Sequence, residues 1–201
     1  MVQKYLKIML ENLKDRHIIL ASHSPRRRYL LTQLGLDFTE ISAEVDESFP
    51  EGLTPDETAI YLAEKKADHF SELLEDPKNI LITADTLVLI DNRILGKPEG
   101  KKGAAEMLQT LSGSMHQVVT GICLRSRDKS HSFTSWTNVF FKDLSEEEID
   151  HYLEMYKPYD KAGAYGIQEW IGYIGITRIE GSYFNVMGLP VQRLYEELSR
   201  F

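Results

Sequence analysis

The segment IILASHSPRRR, residues 18–28, places a short apolar run directly before a helix start. Ser24 has a side chain that caps helices, and Pro25 suits the first helical position, where no amide donor is needed. Apolar residues with helical spacing follow from Tyr29 onward. The segment therefore predicts a buried strand, a turn and a helix, which is the connection used throughout α/β folds.

The same turn contains groups that bind anions. The hydroxyls of Ser22 and Ser24, the first amides of the helix and three arginines at 26–28 converge on it. Helix N-termini attract anions, and the planar guanidinium of arginine matches the oxygens of a phosphate. A capped surface helix with solvated arginines is the alternative at this point.

Length and charge narrow the class of protein. The chain has 201 residues, enough to bury a substantial core, and a net charge of −8. Binding to nucleic acid relies on Lys and Arg clustered across a face, so we expect no nucleic-acid partner. No apolar run approaches the ~20 residues that span a bilayer. No secretory signal is recognisable, so we expect no membrane association and a cytoplasmic location. The single cysteine, Cys123, lies in an apolar run and is expected to be a buried structural thiol.

Strand and helix patterns alternate along the chain. The strands are expected over residues 18–21, 38–45, 80–90, 94–95, 116–125, 132–142 and 173–179, and the helices over 25–34, 55–74, 101–111, 145–155 and 190–198. We expect one α/β domain over residues 17–201, with a mixed, strongly curved sheet flanked by helices and two lobes around a cleft. Residues 1–16 have apolar side chains near helical spacing and predict an N-terminal helical extension.

Asp85 is an acid within the apolar run 80–90, which we expect it to interrupt. Burying an unpaired carboxylate is costly, so Asp85 must be paired, bound to a metal or open to a cleft. As a functional group it would activate water or hold a divalent metal ion. A structural turn formed with Thr86 is the alternative.

Other candidate residues depend more on their context. Lys66 and Lys97 can reach phosphate oxygens, and glycine and proline neighbours fix the backbone of Lys97; a solvated surface lysine is the alternative for each. Gln168 offers both a donor and an acceptor, as base recognition requires. A hydrogen bond from its side chain to the loop backbone is the alternative. The acidic residues 44–47 include a candidate metal ligand, although their composition is more typical of a solvated strand end. The chain has no glycine-rich phosphate loop, so helix ends and side chains would have to bind phosphate.

Seven short motifs occur in an order that resembles one family. They are LASHSPRR (20–27), ADT (84–86), GKP (96–98), LSG (111–113), DKAGAYGIQ (160–168), GSY (181–183) and VMGLP (186–190). In these motifs the chain resembles the Maf (septum-formation inhibitor) family of nucleotide pyrophosphatases from residue 18 to residue 198. The resemblance implies a fold similar to that of Maf and inosine triphosphatase. It also implies hydrolysis of a nucleoside triphosphate to the monophosphate and pyrophosphate.

The resemblance implies roles for individual residues. Asp85 falls on the general base of the family. A divalent cation, Mg²⁺, Mn²⁺ or Co²⁺, is implied, with Asp46 and Asp85 as its carboxylates. The triphosphate-binding positions fall on Ser22, Arg26, Arg27, Lys66 and Lys97. The implied partner is a small-molecule nucleoside triphosphate, and a homodimer is an oligomeric state that the family often adopts.

Three positions indicate the type of substrate within the family. Members that resemble dTTP/UTP pyrophosphatases have residues matching Arg26, Thr86 and Gln168 at these positions. Glu169 and Trp170 depart from the family pattern, where glycine is common, and could reshape a base pocket. A pyrophosphatase for 7-methyl-GTP, CTP or a modified pyrimidine nucleotide stays open. So does a regulator of cell division that senses nucleotides without hydrolysing them.

Overall fold

Residues 10–201 are described by a computed structural model of the chain, and strands alternate with helices along them. The strands are β1 (His17–Ala21), β2 (Phe38–Ile41), β3 (Asn79–Ile90), β4 (Arg93–Leu95), β5 (Met115–Arg125), β6 (Ser130–Phe141) and β7 (Ile176–Gly181). The helices are α1 (Pro25–Gln33), α2 (Pro55–His69), α3 (Gly100–Leu111), α4 (Glu146–Tyr156), α5 (Trp170–Gly175), α6 (Tyr183–Val186) and α7 (Val191–Arg200). None of the helices in this part of the chain is both long and apolar enough to cross a membrane.

The strands described form one mixed sheet in the order β2-β1-β3-β5-β6-β7, with β4 paired to β3. β1 is parallel to β2 and to β3, whereas the pairs β3–β4 and β6–β7 are antiparallel. Parallel neighbours need crossover connections, and α1 and α2 lie in those connections. The predicted α/β class, with a mixed sheet flanked by helices, is confirmed. The cleft between two lobes stays a prediction.

Capping signals in the sequence set the start of two helices. Thr54 and Glu57 form a reciprocal capping box at α2, and Ser145 and Glu148 form one at α4. Each box provides partners for two amides that have none inside the helix. The helices begin at Pro55 and Glu146, each directly after the capping residue of its box.

The predicted bounds of two elements near the start of the chain are wrong. The strand expected over 38–45 ends at Ile41, opposite Ala21 at the end of its partner β1, and a hydrogen bond from the Ser22 amide to the Ile41 carbonyl closes the pairing. The helix expected over 55–74 ends at His69, and a 3₁₀ turn (Ser71–Glu75) follows it. Phe70 leaves the helical conformation and packs against the core of the sheet.

Two further predictions are wrong: the interruption of β3 at Asp85, and the start of the last strand at residue 173. β3 runs through Asp85 and Thr86 without interruption, because Lys66 is available as a partner for the acid. The strand expected over 173–179 begins only at Ile176, and α5 occupies the preceding residues. Gly172 allows this helix to lie directly against the carbonyl of Ile167, where a Cβ would overlap it.

Contacts divide the described chain into two compact units. The first contains the residues up to Asp85, Thr120–Ser135 and Gly188–Phe201, and the second contains Thr86–Val119 and Trp136–Met187. In the first unit Gly121 of β5 lies against the backbone of Ala59, so that α2 packs closely on the sheet. The core beneath this helix includes Ile19, Ala63, Ala67, Leu81 and Cys123. Cys123 is therefore buried, as predicted.

The predicted N-terminal extension, residues 1–16, lies for the most part outside the described residues. Its last part forms a 3₁₀ turn (Glu11–Leu13) with Leu10 and Leu13 buried. Asn12 donates a hydrogen bond from Nδ2 to the carbonyl of Leu198 at 2.7 Å, which joins this turn to α7.

Candidate active site

The turn between β1 and α1 has the conformation that its sequence predicts. Ser22 is buried, and its hydroxyl accepts a hydrogen bond from the Ser24 amide at 3.1 Å. The Ser24 hydroxyl in turn accepts from the Arg27 amide at 3.4 Å and caps α1. Pro25 occupies the first turn of the helix. These local bonds hold the N-terminus of α1 in a single conformation at the end of β1.

The guanidinium of Arg27 joins this turn to two other parts of the first unit. It donates to the carbonyl of Gly188 from Nε and to the carbonyl of Ala84 from Nη1, both at 2.8 Å. Burial lowers the pKa of Arg27 below its ordinary value, the Asp85 carboxylate opposes this shift, and the charge of Arg26 adds to it. Arg27 thus fixes the backbone immediately before Asp85 and places a positive charge near that acid.

Two carboxylates converge on one lysine in the first unit. Lys66 of α2 contacts Oδ1 of Asp85 on β3, and its Nζ donates to Oε1 of Glu47 at 3.0 Å. The side chains of Asp85 and Lys66 are only 10% and 16% exposed. We name Glu47, Lys66 and Asp85 the carboxylate–lysine cluster. Pairing inside this cluster explains how an otherwise apolar strand accommodates an acid.

Glu47 is a site residue that the sequence reasoning missed, because that reasoning favoured its neighbour Asp46. The side chain of Asp46 is 70% exposed, and one of its oxygens accepts from Lys65 Nζ at 2.9 Å. Hydrogen bonds from Ser48, together with Lys65, lower the pKa of Asp46 to about 2. Two adjacent acids therefore pair with two adjacent lysines. The sequence shows the acids and the lysines, but not which acid pairs with the lysine that contacts Asp85.

The carboxylate–lysine cluster fits a divalent cation that has further ligands of its own. Mg²⁺ is usually bound through one or two carboxylates together with water and phosphate oxygens. Glu47 and Asp85 supply two carboxylates. Within residues 10–201 no group of three or more His, Cys, Asp and Glu side chains is arranged to hold a metal ion. The donor set therefore suits a cation that binds together with a phosphate-containing ligand.

Arg26, in the first turn of α1, is half-buried. The second unit contains three further candidates, Thr86, Lys97 and Gln168. Lys97 is exposed, and the carbonyl of the preceding Gly96 accepts from the Gly163 amide at 3.2 Å. Gln168 ends the loop of residues 161–168. Its Oε1 is buried and accepts no hydrogen bond from any residue that the structure describes. Thr86, which follows Asp85 on β3, is half-buried.

An aromatic pair anchors the loop that ends in Gln168. Nε2 of His116 lies 2.7 Å from the hydroxyl of Tyr165, and Phe141 packs against both rings. Burial lowers the pKa of His116 to about 4 and raises the pKa of Tyr165. Both side chains are therefore neutral near pH 7, and they hold the middle of the loop in the core of the second unit.

The candidate residues thus fall into two groups. The structure brings together Arg27, Lys66 and Asp85, with Glu47 as an unexpected fourth member, and Ser22 lies at the same end of β1 as the Arg27 helix. Asp46 pairs with Lys65 instead. The second unit holds Thr86, Lys97 and Gln168. Outside these groups, Arg28 is exposed and forms an ion pair with Glu40 at 3.2 Å, as expected of a surface arginine.

Comparisons with known proteins give a uniform result. Residues 17–201 match the family model described as Maf-like protein. A protein of Bacteroides thetaiotaomicron named dTTP/UTP pyrophosphatase is 52% identical over 193 residues, which cover 96% of this chain and 100% of that protein. A protein of Porphyromonas gingivalis with the same name is 52% identical over 195 residues, 96% of this chain and 98% of its own. One of Flavobacterium johnsoniae, again so named, is 45% identical over 192 residues, with the same coverage of 96% and 98%.

Proposed function

Because the chain belongs to the Maf-like protein family, we propose that it hydrolyses dTTP and UTP to the nucleoside monophosphate and pyrophosphate. The observation that carries this proposal is the carboxylate–lysine cluster, in which the poorly exposed Asp85 contacts Lys66 of α2. Arg27 of the capped helix α1 binds the Ala84 carbonyl directly before this acid. Relatives about half identical over nearly the whole chain have the name dTTP/UTP pyrophosphatase. That name agrees with the chemistry expected of the cluster.

In the proposed reaction Asp85 acts as the general base. It accepts a proton from a water molecule, whose oxygen attacks the α-phosphorus of the triphosphate. The bond between the α-phosphorus and the bridging oxygen breaks, and pyrophosphate leaves with the electron pair. Arg27 holds the Ala84 carbonyl at 2.8 Å, and this bond fixes the direction of the strand at the base.

Positive groups would neutralise the triphosphate and the charge that develops on the leaving pyrophosphate. We propose that Lys66 exchanges part of its contact with Asp85 for a phosphate oxygen when the substrate binds. The hydroxyl of Ser22 and the N-terminus of α1 are further donors for phosphate. Arg26, Arg27 and Lys97 complete the proposed triphosphate-binding set, and Arg27 also places its charge near Asp85.

A divalent cation, Mg²⁺, Mn²⁺ or Co²⁺, is proposed to bind at Asp85 and a second carboxylate. The resemblance to the family gives Asp46 as that second ligand, whereas the ion pair of Glu47 with Lys66 supports Glu47 as the first choice. When bound, such an ion supplies charge neutralisation to phosphate oxygens. The substitutions Glu47→Gln and Asp46→Asn show which of the two acids is the ligand.

Gln168 is proposed to select the base, together with Arg26 and Thr86. Uracil and thymine share an N3–H donor flanked by carbonyl oxygens, whereas cytosine has an acceptor at N3. The Oε1 acceptor of Gln168 lacks a donor among the described residues, and a buried acceptor without a partner favours a ligand that donates to it. An acceptor placed against N3 of the base supports dTTP and UTP over CTP, because only thymine and uracil have a proton there.

The test is pyrophosphate release from a panel of dTTP, UTP, CTP, 7-methyl-GTP and a modified pyrimidine triphosphate, with Mg²⁺, Mn²⁺ or Co²⁺. We expect dTTP and UTP to give the highest kcat/KM. Faster release from 7-methyl-GTP, CTP or a modified pyrimidine nucleotide would assign the protein to a different substrate. Tight triphosphate binding without pyrophosphate release under any metal would indicate a nucleotide-sensing regulator instead.

We also propose a cytoplasmic location, a homodimer and no nucleic-acid partner. The net charge of −8 supports the last of these, because a phosphate backbone is repelled by an acidic protein. Light scattering on the purified chain tests the dimer, and cell fractionation tests the location. Salt-dependent binding to an oligonucleotide would contradict the absence of a nucleic-acid partner.

A further inference from the structure

A second polar cluster surrounds the loop that ends in Gln168. Tyr152 of α4 donates from its hydroxyl to Oε2 of Glu169, and the same hydroxyl accepts from the Gly166 amide at 3.0 Å. Lys161, at the start of the loop, places Nζ 3.2 Å from Oε1 of Glu169. We name Tyr152, Lys161 and Glu169 the Glu169 cluster. It joins Lys161 at the start of the loop, the Gly166 amide in its middle and Glu169 directly after its end.

The burial of this cluster shows that its contacts are more than transient surface pairs. Tyr152 is fully buried, Lys161 is 9% exposed, and the Glu169 side chain is 19% exposed. Such groups lose hydration and need partners inside the protein. Burial and then the Glu169 carboxylate raise the pKa of Tyr152, so its hydroxyl stays protonated and donates to Glu169.

The backbone next to Gln168 has little room to move away from the cluster. A Cβ at Gly166 would lie 2.7 Å from the carboxyl carbon of Glu169. The Glu169 amide donates to the Gly166 carbonyl at 2.9 Å and closes a tight turn around Ile167 and Gln168. On the other side Gly172 lies against the Ile167 carbonyl. Residues 166–168 are therefore held between the Glu169 carboxylate and α5.

We propose that Glu169, held by Tyr152 and Lys161, is a positioning residue for base discrimination. Its carboxylate fixes the backbone of residues 166–168 and so presents the Gln168 amide in one orientation. The inference rests on the proposed function, in which Gln168 selects the base. None of the three cluster members needs to touch the substrate, because each acts through the loop.

The experiment measures kcat and KM for UTP and CTP in Tyr152→Phe, Glu169→Gln and Glu169→Ala. We expect the UTP-to-CTP ratio of kcat/KM to fall about three- to tenfold, the effect of one misplaced hydrogen bond. The loss should lie in KM for UTP, with kcat changed less than about twofold. Glu169→Gln should lose less than Glu169→Ala, because its amide oxygen still accepts from Tyr152. Glu154→Gln is the control, since this α4 carboxylate is exposed and pairs with Lys101.

A double-mutant cycle with Gln168→Ala separates positioning from a general structural role. In the Gln168→Ala background, Tyr152→Phe should leave the UTP-to-CTP ratio unchanged, because the group it positions is absent. Full additivity of the two effects would overturn the proposal, and so would an unchanged ratio in all three cluster variants. A uniform loss of activity on both nucleotides would overturn it as well. Glu169→Gln keeps the proposal testable if the Glu169→Ala variant fails to fold.

Failure of the inference is distinguishable from failure of the proposed function. If the unmodified protein releases no pyrophosphate from UTP, dTTP or CTP, the proposed function fails before any variant is compared. If it releases pyrophosphate and prefers UTP, the proposed function stands. The cluster variants then decide the positioning role alone.

Discussion

Replacing Asp85 by Asn removes the proposed base and leaves most of the surrounding structure in place. The amide has nearly the same size as the carboxylate, and Lys66 keeps its ion pair with Glu47 at 3.0 Å. Breaking a fully buried ion pair costs about 3–5 kcal/mol because one charge is left alone. Here the second carboxylate remains, and Glu47 is nearly half exposed. We therefore expect the free energy of unfolding to fall by only about 1–2 kcal/mol.

The same substitution has a much larger expected effect on the reaction. A positioned general base contributes about 10²–10⁴-fold to the rate, and the carboxylate is also a proposed metal ligand. We expect pyrophosphate release from UTP to fall by at least about 10³-fold, with a cooperative urea transition retained. The assay is pyrophosphate release with saturating UTP and Mg²⁺, alongside urea unfolding of the same preparation.

The control for this substitution is Asp91→Asn, on the turn that joins β3 to β4. Asp91 is exposed and has a positive φ of 49°, a conformation that Asn tolerates well. It should keep both stability and activity. A rate within about tenfold of the unmodified protein in Asp85→Asn would refute the assignment of Asp85 as the base.

Three further predictions concern the metal, the sheet and pH. Glu47→Gln should weaken Mn²⁺ binding about tenfold in the presence of a non-hydrolysable triphosphate, because it removes a ligand. Electron paramagnetic resonance measures this binding. A larger effect of Asp46→Asn would identify Asp46 as the second carboxylate ligand. Gly121→Ala should lower the free energy of unfolding by more than about 2 kcal/mol in urea, because the new Cβ overlaps the Ala59 backbone; an unchanged midpoint would show that α2 moves aside freely. In the folded protein the pKa of His116 is about 4, below its ordinary 6.5. Between these pH values the unfolded chain therefore binds more protons than the folded protein. The free energy of unfolding should fall by about 3 kcal/mol as the pH drops from about 6.5 to 4. Urea midpoints across this range should vary less in His116→Phe, and an equal slope in both proteins would contradict the buried neutral imidazole.

Local signals predicted the parts of the fold that depend on a few adjacent residues. Ser24 and Pro25 predicted the start of α1. The capping boxes at Thr54 and Ser145 mark the starts of two more helices in the same local way. These signals work because a cap acts on amides within three residues of itself. The strand expected over 173–179 begins only at Ile176, because α5 packs through Gly172 against Ile167 and contains the residues up to Gly175.

The partners of charged residues were not predictable in the same way. The contact of Asp85 with Lys66 joins residues 19 positions apart in the sequence, so the strand was expected to break where it continues. Lys65 and Lys66 are adjacent, as are Asp46 and Glu47, and only the placement of α2 decides which acid meets which lysine. Glu47 therefore entered the candidate site from the structure alone.

The sequence by itself determined the family, the strand–turn–helix segment at residues 18–28 and the set of residue types available for phosphate chemistry. It could do so because sequence motifs and helix caps each depend on a few adjacent residues. Tertiary structure alone decided that Glu47 faces Lys66 beside Asp85, and that Tyr152, Lys161 and Glu169 hold the loop before Gln168. Those pairings depend on how separate helices and strands pack, because residues distant in the sequence meet only when their elements pack together, and a buried charge needs the partner that this packing brings to it.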